Sequence, residues 1–505
     1  MKRQLSNKGN ISSSSTFPLC HDFSETEVTN MRFSLLEWYR KNKRDLPWRK
    51  QAYNPDVSQR AYAVWVSEIM LQQTQVATVI NYYNKWMKRW PTLEDLSKAT
   101  LEEVNEMWAG LGYYSRGRRL FEGAKKVVEE LGGQMPQNAE SLLKQLPGVG
   151  RYTAGAIASI AYNQVTGLVD GNVIRVLCRL RIIGGDSASQ PVQDSLWQHA
   201  ERLVDPDAPG DFNQAMMELG AVVCTPKNPD CNNCPLKNYC KAYSQVKRCF
   251  HVKKNAFLAN LATKSDELMV QKHKQENGKK LVTNGKSGDD NTVLDIECAA
   301  DGCQLCLTES DSYDESLGVM NYPRKGRKKE AREERTAVCI LCRRCSDNST
   351  KYFIAQRPKK GLLAGMWEFP SFQLESEDAS AELGEIIRKY GLVLSSSQNR
   401  IQVGEVVHIF SHIHQTYVVQ AVIIDDSDVE HEVVEDTTSP TTRWVTKEKF
   451  MEAAVSTAMK KVFKAFEGVM DQKPKVNKKL KPKDDPTDLR KQRAIDSFFK
   501  PKSSN

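Results

Sequence analysis

Four cysteines, Cys224, Cys231, Cys234 and Cys240, fall within 17 residues in the spacing Cys-x6-Cys-x2-Cys-x5-Cys, with prolines at 226, 229 and 235 turning the backbone between them. Packing has little use for so many thiols in one short loop, whereas thiolates readily share a metal. Spacing alone leaves zinc and an iron–sulfur cluster both open. Eight more cysteines and a ninth complete a total of thirteen. The N-terminal MKRQLSNKGNISSSSTF has no apolar core of the kind that directs secretion, so metal sites are expected rather than disulfides.

A chain of 505 residues exceeds one ordinary hydrophobic core. No run of eighteen apolar residues occurs, which excludes a helical membrane span. The net charge of +9 suits a polyanionic partner. Residues 1–29 are Ser- and Asn-rich and read as a flexible lead. Residues 30–249 carry apolar positions three and four apart, as in Ala63, Val66, Ile69 and Met70, and predict about ten helices without a strand. Residues 250–333 read as a polar connector ending in a basic run. Alternating β-rich segments follow within 334–470, closed by one helix over Lys447–Met470. The tail, 471–505, has eleven basic against five acidic residues and little to bury, so it is expected to be disordered until bound.

Three constellations in the helical part carry chemistry. Leu146-Pro-Gly148-Val-Gly150-Arg-Tyr152 joins two helical stretches through a Gly-x-Gly hairpin, where glycines admit a close ligand and helix-start amides suit a phosphate. A plain helix–turn–helix corner would look similar. Val169-Asp170-Gly-Asn172 places Asp170 at a helix N-cap, where a carboxylate is expected to stay ionised; capping alone would also explain it. In Ser67-Glu68-Ile-Met-Leu-Gln72, Glu68 and Gln72 share a helix face, and Glu68 stands among Trp65, Val66 and Ile69. Burial there would raise its pKa and make it a candidate general acid; the ordinary alternative is a solvent-facing glutamate.

Together, Leu-Pro-Gly-Val-Gly, Val-Asp-Gly-Asn-Val, Ser-Glu-Ile-Met-Leu-Gln-Gln-Thr-Gln-Val and the four-cysteine spacing resemble the helix–hairpin–helix DNA glycosylases, and more narrowly the MutY family of adenine DNA glycosylases. The resemblance implies a multidomain chain. An all-α glycosylase domain with an iron–sulfur loop is followed by an α+β Nudix-like domain. It also implies a 4Fe–4S cluster on Cys224, Cys231, Cys234 and Cys240. Glycosylase–lyases carry a lysine at the position of Tyr152, and a phenol cannot form their Schiff base, so a monofunctional enzyme is expected. Glu68 would protonate adenine, Asp170 would stabilise the cationic sugar, and Tyr152 and Asn172 would position them. The expected pKa shifts are upward for Glu68 and downward for Asp170. Gln72 and Tyr113 resemble residues inserted at the lesion, while Arg116, Arg118 and Arg119 would meet phosphates.

In the second half, Gly361-Leu-Leu-Ala-Gly-Met-Trp-Glu-Phe-Pro370 resembles the Nudix-like domain of this family. The stretch Glu382–Gly391 lacks the glutamate pairs that diphosphate hydrolysis needs. The domain is therefore expected to read 8-oxoguanine opposite adenine through Phe410, Ser411 and His412. Vertebrate-like members of the family hold zinc in the connector. Cys298, Cys303 and Cys306 are the matching ligands here, and the fourth is expected to be His21, with Cys20 second. Cys339, Cys342 and Cys345 fit strand alternation. In the tail, Gln492, Ile495, Phe498 and Phe499 resemble a peptide that docks on the replicative sliding clamp. The resemblance further implies a checkpoint clamp near Gly318–Lys325, an AP endonuclease as partner, a monomer, and a nuclear location with a mitochondrial share as the second. The other readings weighed are a pyrimidine-lesion glycosylase–lyase, a non-catalytic lesion-recognition scaffold, and an active Nudix pyrophosphatase.

Overall fold

The computed structural model describes residues 19–251, 253, 255, 303–307, 313–324, 331–358, 363–374, 400–410, 413–425 and 441–471. No helix among them is long and apolar enough to cross a membrane.

Twelve α-helices run from Glu25 to Val222. They are α1 (Glu25–Asn42), α2 (Pro47–Gln51), α3 (Val57–Leu71), α4 (Val76–Arg89), α5 (Leu93–Ser97), α6 (Leu101–Trp108), α7 (Ser115–Glu130), α8 (Ala139–Gln145), α9 (Arg151–Tyr162), α10 (Gly171–Leu180), α11 (Gln190–Leu203) and α12 (Pro209–Val222). The excess over ten lies in helices such as α2 and α5, which are too short for periodicity to reveal. Pro47 at the first turn starts α2, and a Thr92–Asp95 capping box starts α5. The first helix also begins earlier than the expected flexible lead allows. Ser24 caps α1 in a reciprocal box with Glu27, and His21 and Phe23 are buried.

The centre of this half is α3, in which every residue from Ala61 to Met70 is buried. Such a helix has no solvent face, and its neighbours must approach closely. α9 does so with a row of small residues, Ala154, Gly155, Ala156, Ala158 and Ala161. α7 does so at Gly123, where a Cβ would stand 2.7 Å from the Trp65 ring.

The second half is a mixed sheet in the order β3-β2-β1-β6-β5, with β4 also paired to β1 and β7 to β2. The strands are β1 (Arg332–Arg344), β2 (Thr350–Gln356), β3 (Trp367–Glu368), β4 (Ser371–Gln373), β5 (Arg400–Ile409), β6 (Ile413–Asp425) and β7 (Thr442–Val445). β1 and β6 are parallel and the other pairs antiparallel. Alternation along β1 sends Val338, Ile340 and Cys342 into one core and Ala337, Cys339 and Leu341 into the other. The closing segment is two helices, Lys447–Glu452 and Thr457–Met470, rather than one. Ser456 caps the second helix, so the chain must leave helical geometry before it.

Candidate active site and metal centres

Elements α2, α3, α9, α10 and α12 enclose a cavity of about 560 Å³ lined by Glu68, Gln72, Tyr152, Asp170 and Asn172. Glu68 sits on α3, 5% exposed, and accepts a 2.7 Å hydrogen bond from the Tyr152 hydroxyl of α9. Asp170 caps α10: its Oδ1 accepts from the amides of Asn172 (2.9 Å) and Val173 (2.7 Å), and its Oδ2 from the Asn172 side chain (2.8 Å). Asn172 in turn accepts from Arg175 (2.8 Å), whose Nε donates to the Cys224 carbonyl (2.7 Å). Asp170 thus begins a chain of hydrogen bonds that ends at the first cysteine of the metal loop.

Burial pushes Glu68 up to about 7, Asp170 adds to the rise, and Tyr152 and Arg49 pull it down. Asp170 departs from expectation. Burial lifts it above its ordinary value, and the cap hydrogen bonds, which favour its charged form, only oppose the rise. The group held low is one the sequence reading missed. Glu218 of α12 loses solvent by burial, yet hydrogen bonds from Arg44 and Arg49 hold it at about 2. Two buried glutamates on one cavity are thus pushed in opposite directions, Glu68 toward its acid and Glu218 toward its anion. Trp48, Arg49 and Gln214 are among the other lining residues that the sequence reading missed. Glu218 carried the same signal as Glu68, a lone acid in an apolar helical run; Trp48 lies on a five-residue helix that gave none.

The hairpin forms between α8 and α9. Gly148 has φ +77, and a Cβ there would meet Arg119 at 2.9 Å, so glycine is required. Gly150 is the N-cap of α9. Gln72 ends α3 and donates to the Thr153 hydroxyl (3.2 Å). Tyr113 is 45% exposed at φ +48, as a residue reaching outward would be. Arg116 is not placed for phosphates. It is 8% exposed, and its guanidinium donates to the carbonyls of Ile69 (2.9 Å), Met70 (2.9 Å) and Gly112 (3.0 Å). It ties the end of α3 to the turn before α7. Arg118 lies on a second cavity, described below.

Two groups of sulfur ligands stand near the C-terminal end of α10. Cys224, Cys231, Cys234 and Cys240 line one pocket with Arg179, whose Nη1 donates to Cys224 Sγ (3.3 Å). Thiolates on one zinc lie within about 4 Å of one another, given Zn–S bonds of about 2.3 Å. Among the described residues the donors gathered within 4.8 Å are instead His21, Cys303 and Cys306. The four loop cysteines are not in that set. At the other group, His21 Nε2 lies 3.2 Å from Cys306 Sγ, while Nδ1 donates to the Arg181 carbonyl (2.8 Å). That partner fixes the tautomer and leaves Nε2 with a free lone pair. Burial also lowers the His21 pKa. Cys20 is not in this group. Cys298 lies outside the described residues.

A second cavity, about 500 Å³, separates the halves. Gly112, Tyr113, Tyr114, Ser115 and Arg118 form one wall, and Leu363, Ala364, His408, Ile409, Phe410 and Ser456–Ala458 the other. Ser411 and His412, which follow Phe410, lie outside the described residues, as do Glu382–Gly391, Lys325 and the tail with Gln492, Ile495, Phe498 and Phe499.

A helical bundle with a glycine hairpin, a cavity holding Glu68 and Asp170 among its buried carboxylates, and a four-cysteine loop define a base-excision DNA glycosylase. Residues 66–202 match the HhH-GPD superfamily base excision DNA repair protein family, 224–240 the iron-sulfur binding domain of endonuclease III, and 339–465 the NUDIX domain. The chain is 50% identical to the adenine DNA glycosylase of Mus musculus over 88% of its own length and 80% of that protein. It is 49% identical to that of Homo sapiens over 90% of this chain and 77% of that protein. A solved complex of the C-terminal domain of mouse MUTYH with human PCNA aligns at 35% identity, over 30% of this chain and 95% of that one, with a TM-score of 0.24. The chain belongs to the adenine DNA glycosylases.

Proposed function

We propose that this enzyme hydrolyses adenine from duplex DNA where it is paired with 8-oxoguanine or guanine, and leaves an intact abasic strand. The observation that carries the chemistry is the Tyr152 hydroxyl on the Glu68 carboxyl, with Asp170 on the same cavity. With a pKa of about 7, Glu68 still holds a proton near neutrality for adenine N7, and the Tyr152 hydrogen bond orients it. The N-glycosyl bond breaks with its electron pair going to the base. The sugar becomes cationic, and Asp170, anchored by three donors, faces the developing charge. A cation beside Asp170 also draws its raised pKa back down. Water then bonds to the sugar carbon, and the proton it loses restores Glu68, left as a carboxylate by the first step, to its acid form. Among the described residues no lysine lines the cavity, so no amine is at hand for a lyase step.

Recognition of 8-oxoguanine is assigned to the cleft between the halves, where exposed Tyr113 stands opposite Phe410, the residue that precedes Ser411 and His412. The match of residues 224–240 to the iron-sulfur binding domain of endonuclease III supports a 4Fe–4S cluster that braces the loop. Zinc fits His21, Cys303 and Cys306 with Cys298 as fourth ligand, a neutral imidazole and soft thiolates being its usual donors. It would tie the segment before α1 to the connector. Through Gln492, Ile495, Phe498 and Phe499 the tail would dock on the replicative sliding clamp in the nucleus.

Quantifying abasic sites from wild type and Glu68→Gln on duplexes with a single adenine tests the reading. Alkali-sensitive product from wild type and at least about 100-fold less from the variant is expected. Strand breaks before alkali would refute the monofunctional assignment.

A further inference from the structure

The two halves are fastened to one another at a point away from the adenine cavity and both metal centres. Met366 is completely buried among the core residues of the helical half, whereas the next residue, Trp367, is 3% exposed within the core of the sheet half. Trp367 opens β3 and Met366 is the residue just before it; their side chains end in different cores, so this pair pegs one core to the other. The carboxylate of Glu102 on α6 locks the peg. Its Oε1 accepts from the Trp367 indole N–H (3.2 Å) and meets Arg443 Nη1 of β7 (3.0 Å). The Arg443 guanidinium also lies over the Trp367 ring, 4.0 Å from its centroid. Leu363 and Ala364, separated from the peg by Gly365 alone, already line the interdomain cleft across from Tyr113 and Arg118. The fastening therefore ends where the cleft begins.

We propose that Met366 and Trp367, locked by Glu102 and Arg443, form a specificity-determining fastening that presets the width of the cleft before DNA arrives. The proposal rests on the cleft being the site where the base opposite adenine is read. Guanine and 8-oxoguanine differ by one oxygen and one N–H. A gap of fixed width can reward the groups that fit and penalise those left unpaired, while a gap that breathes accommodates both. Glu102 and Arg443 touch neither the adenine cavity nor its carboxylates, so they act as positioning residues.

The test uses full-length wild type, Glu102→Gln, Arg443→Gln and the double variant. Single-turnover rates are measured on adenine opposite 8-oxoguanine and opposite guanine. The expected result is that either single variant loses about threefold or more of the preference for 8-oxoguanine. The rate opposite guanine should stay within about twofold, and the double variant should lose no more than the singles, as a shared interaction requires. Equal losses on both substrates would mean a merely structural contact and overturn the proposal. A preference unchanged in all three would overturn it too. A DNA-free readout separates the fastening from the cleft reading: amide hydrogen exchange in Glu102→Gln should quicken around 363–367 and stay unchanged across α3. Unchanged exchange at 363–367 would refute the fastening. Faster exchange in an enzyme whose wild type shows no preference would uphold the fastening and refute the cleft reading.

Discussion

The alkaline limb of the pH–rate profile follows from one contact. If Glu68 must be protonated to act, and burial places its pKa at about 7, the single-turnover rate should fall about tenfold between pH 6 and pH 8. Tyr152 donates to the carboxylate at 2.7 Å and so favours the charged form. In Tyr152→Phe that bond is lost. A hydrogen bond to a charged group is worth about 1.5–3 kcal/mol, and about 1.4 kcal/mol corresponds to one pKa unit. The limb should therefore move upward by about one to two units, whatever happens to the rate plateau. The assay is base release under enzyme excess, quenched at intervals in alkali and read on a denaturing gel from pH 5 to 9.5. Glu68→Gln should be slow and flat across that range. A wild-type limb near pH 4.5, or a downward move in Tyr152→Phe, would refute the argument that a buried, tyrosine-tethered Glu68 is the proton donor.

The same raised pKa has a cost in stability. An acid shifted upward favours folding while it is neutral, and that contribution is lost as pH rises from its unfolded value of 4.5 through about 7. Glu68→Gln should thus gain on wild type by about 2–3 kcal/mol between pH 5 and pH 8, seen as a widening gap in the unfolding midpoint of the helical half; a constant gap would contradict the burial argument. Arg116→Ala should destabilise by about 3 kcal/mol, because it strips donors from buried carbonyls. Its salt dependence of DNA binding should match wild type, whereas a slope reduced by about one would restore Arg116 as a phosphate ligand. Metal analysis of His21→Ala should find zinc reduced from about one per chain to near none, and full retention would remove His21 from the ligand set.

Much of the site was legible because chemistry and local structure share residues. Asp170 caps α10, and a cap before an apolar helical run is visible in sequence. Glu68 stood out as an acid inside an apolar period, and α3 proves buried on every side. The cysteine spacing is a local quantity as well. What sequence hid are properties of assembled surroundings. Asp170 has the donors of a depressed carboxylate, but its burial is set by helices distant in the chain. Arg116 follows an exposed tyrosine in a basic stretch and reads as a DNA contact, yet the end of α3 folds over it and claims its guanidinium. Glu218 takes its low pKa from arginines some 170 residues away. The Met366–Trp367 peg reads as an ordinary strand, because alternation predicts two faces without saying that each belongs to a different domain.

The central claim is best tested by single-turnover base release from duplexes with adenine opposite 8-oxoguanine, guanine and thymine, with Asp170→Asn alongside and with alkali applied or withheld. The account predicts breaks only after alkali, fastest opposite 8-oxoguanine, slow opposite guanine, absent opposite thymine, and lost in the variant. Tight binding without release by the wild type, or breaks that need no alkali, would contradict it.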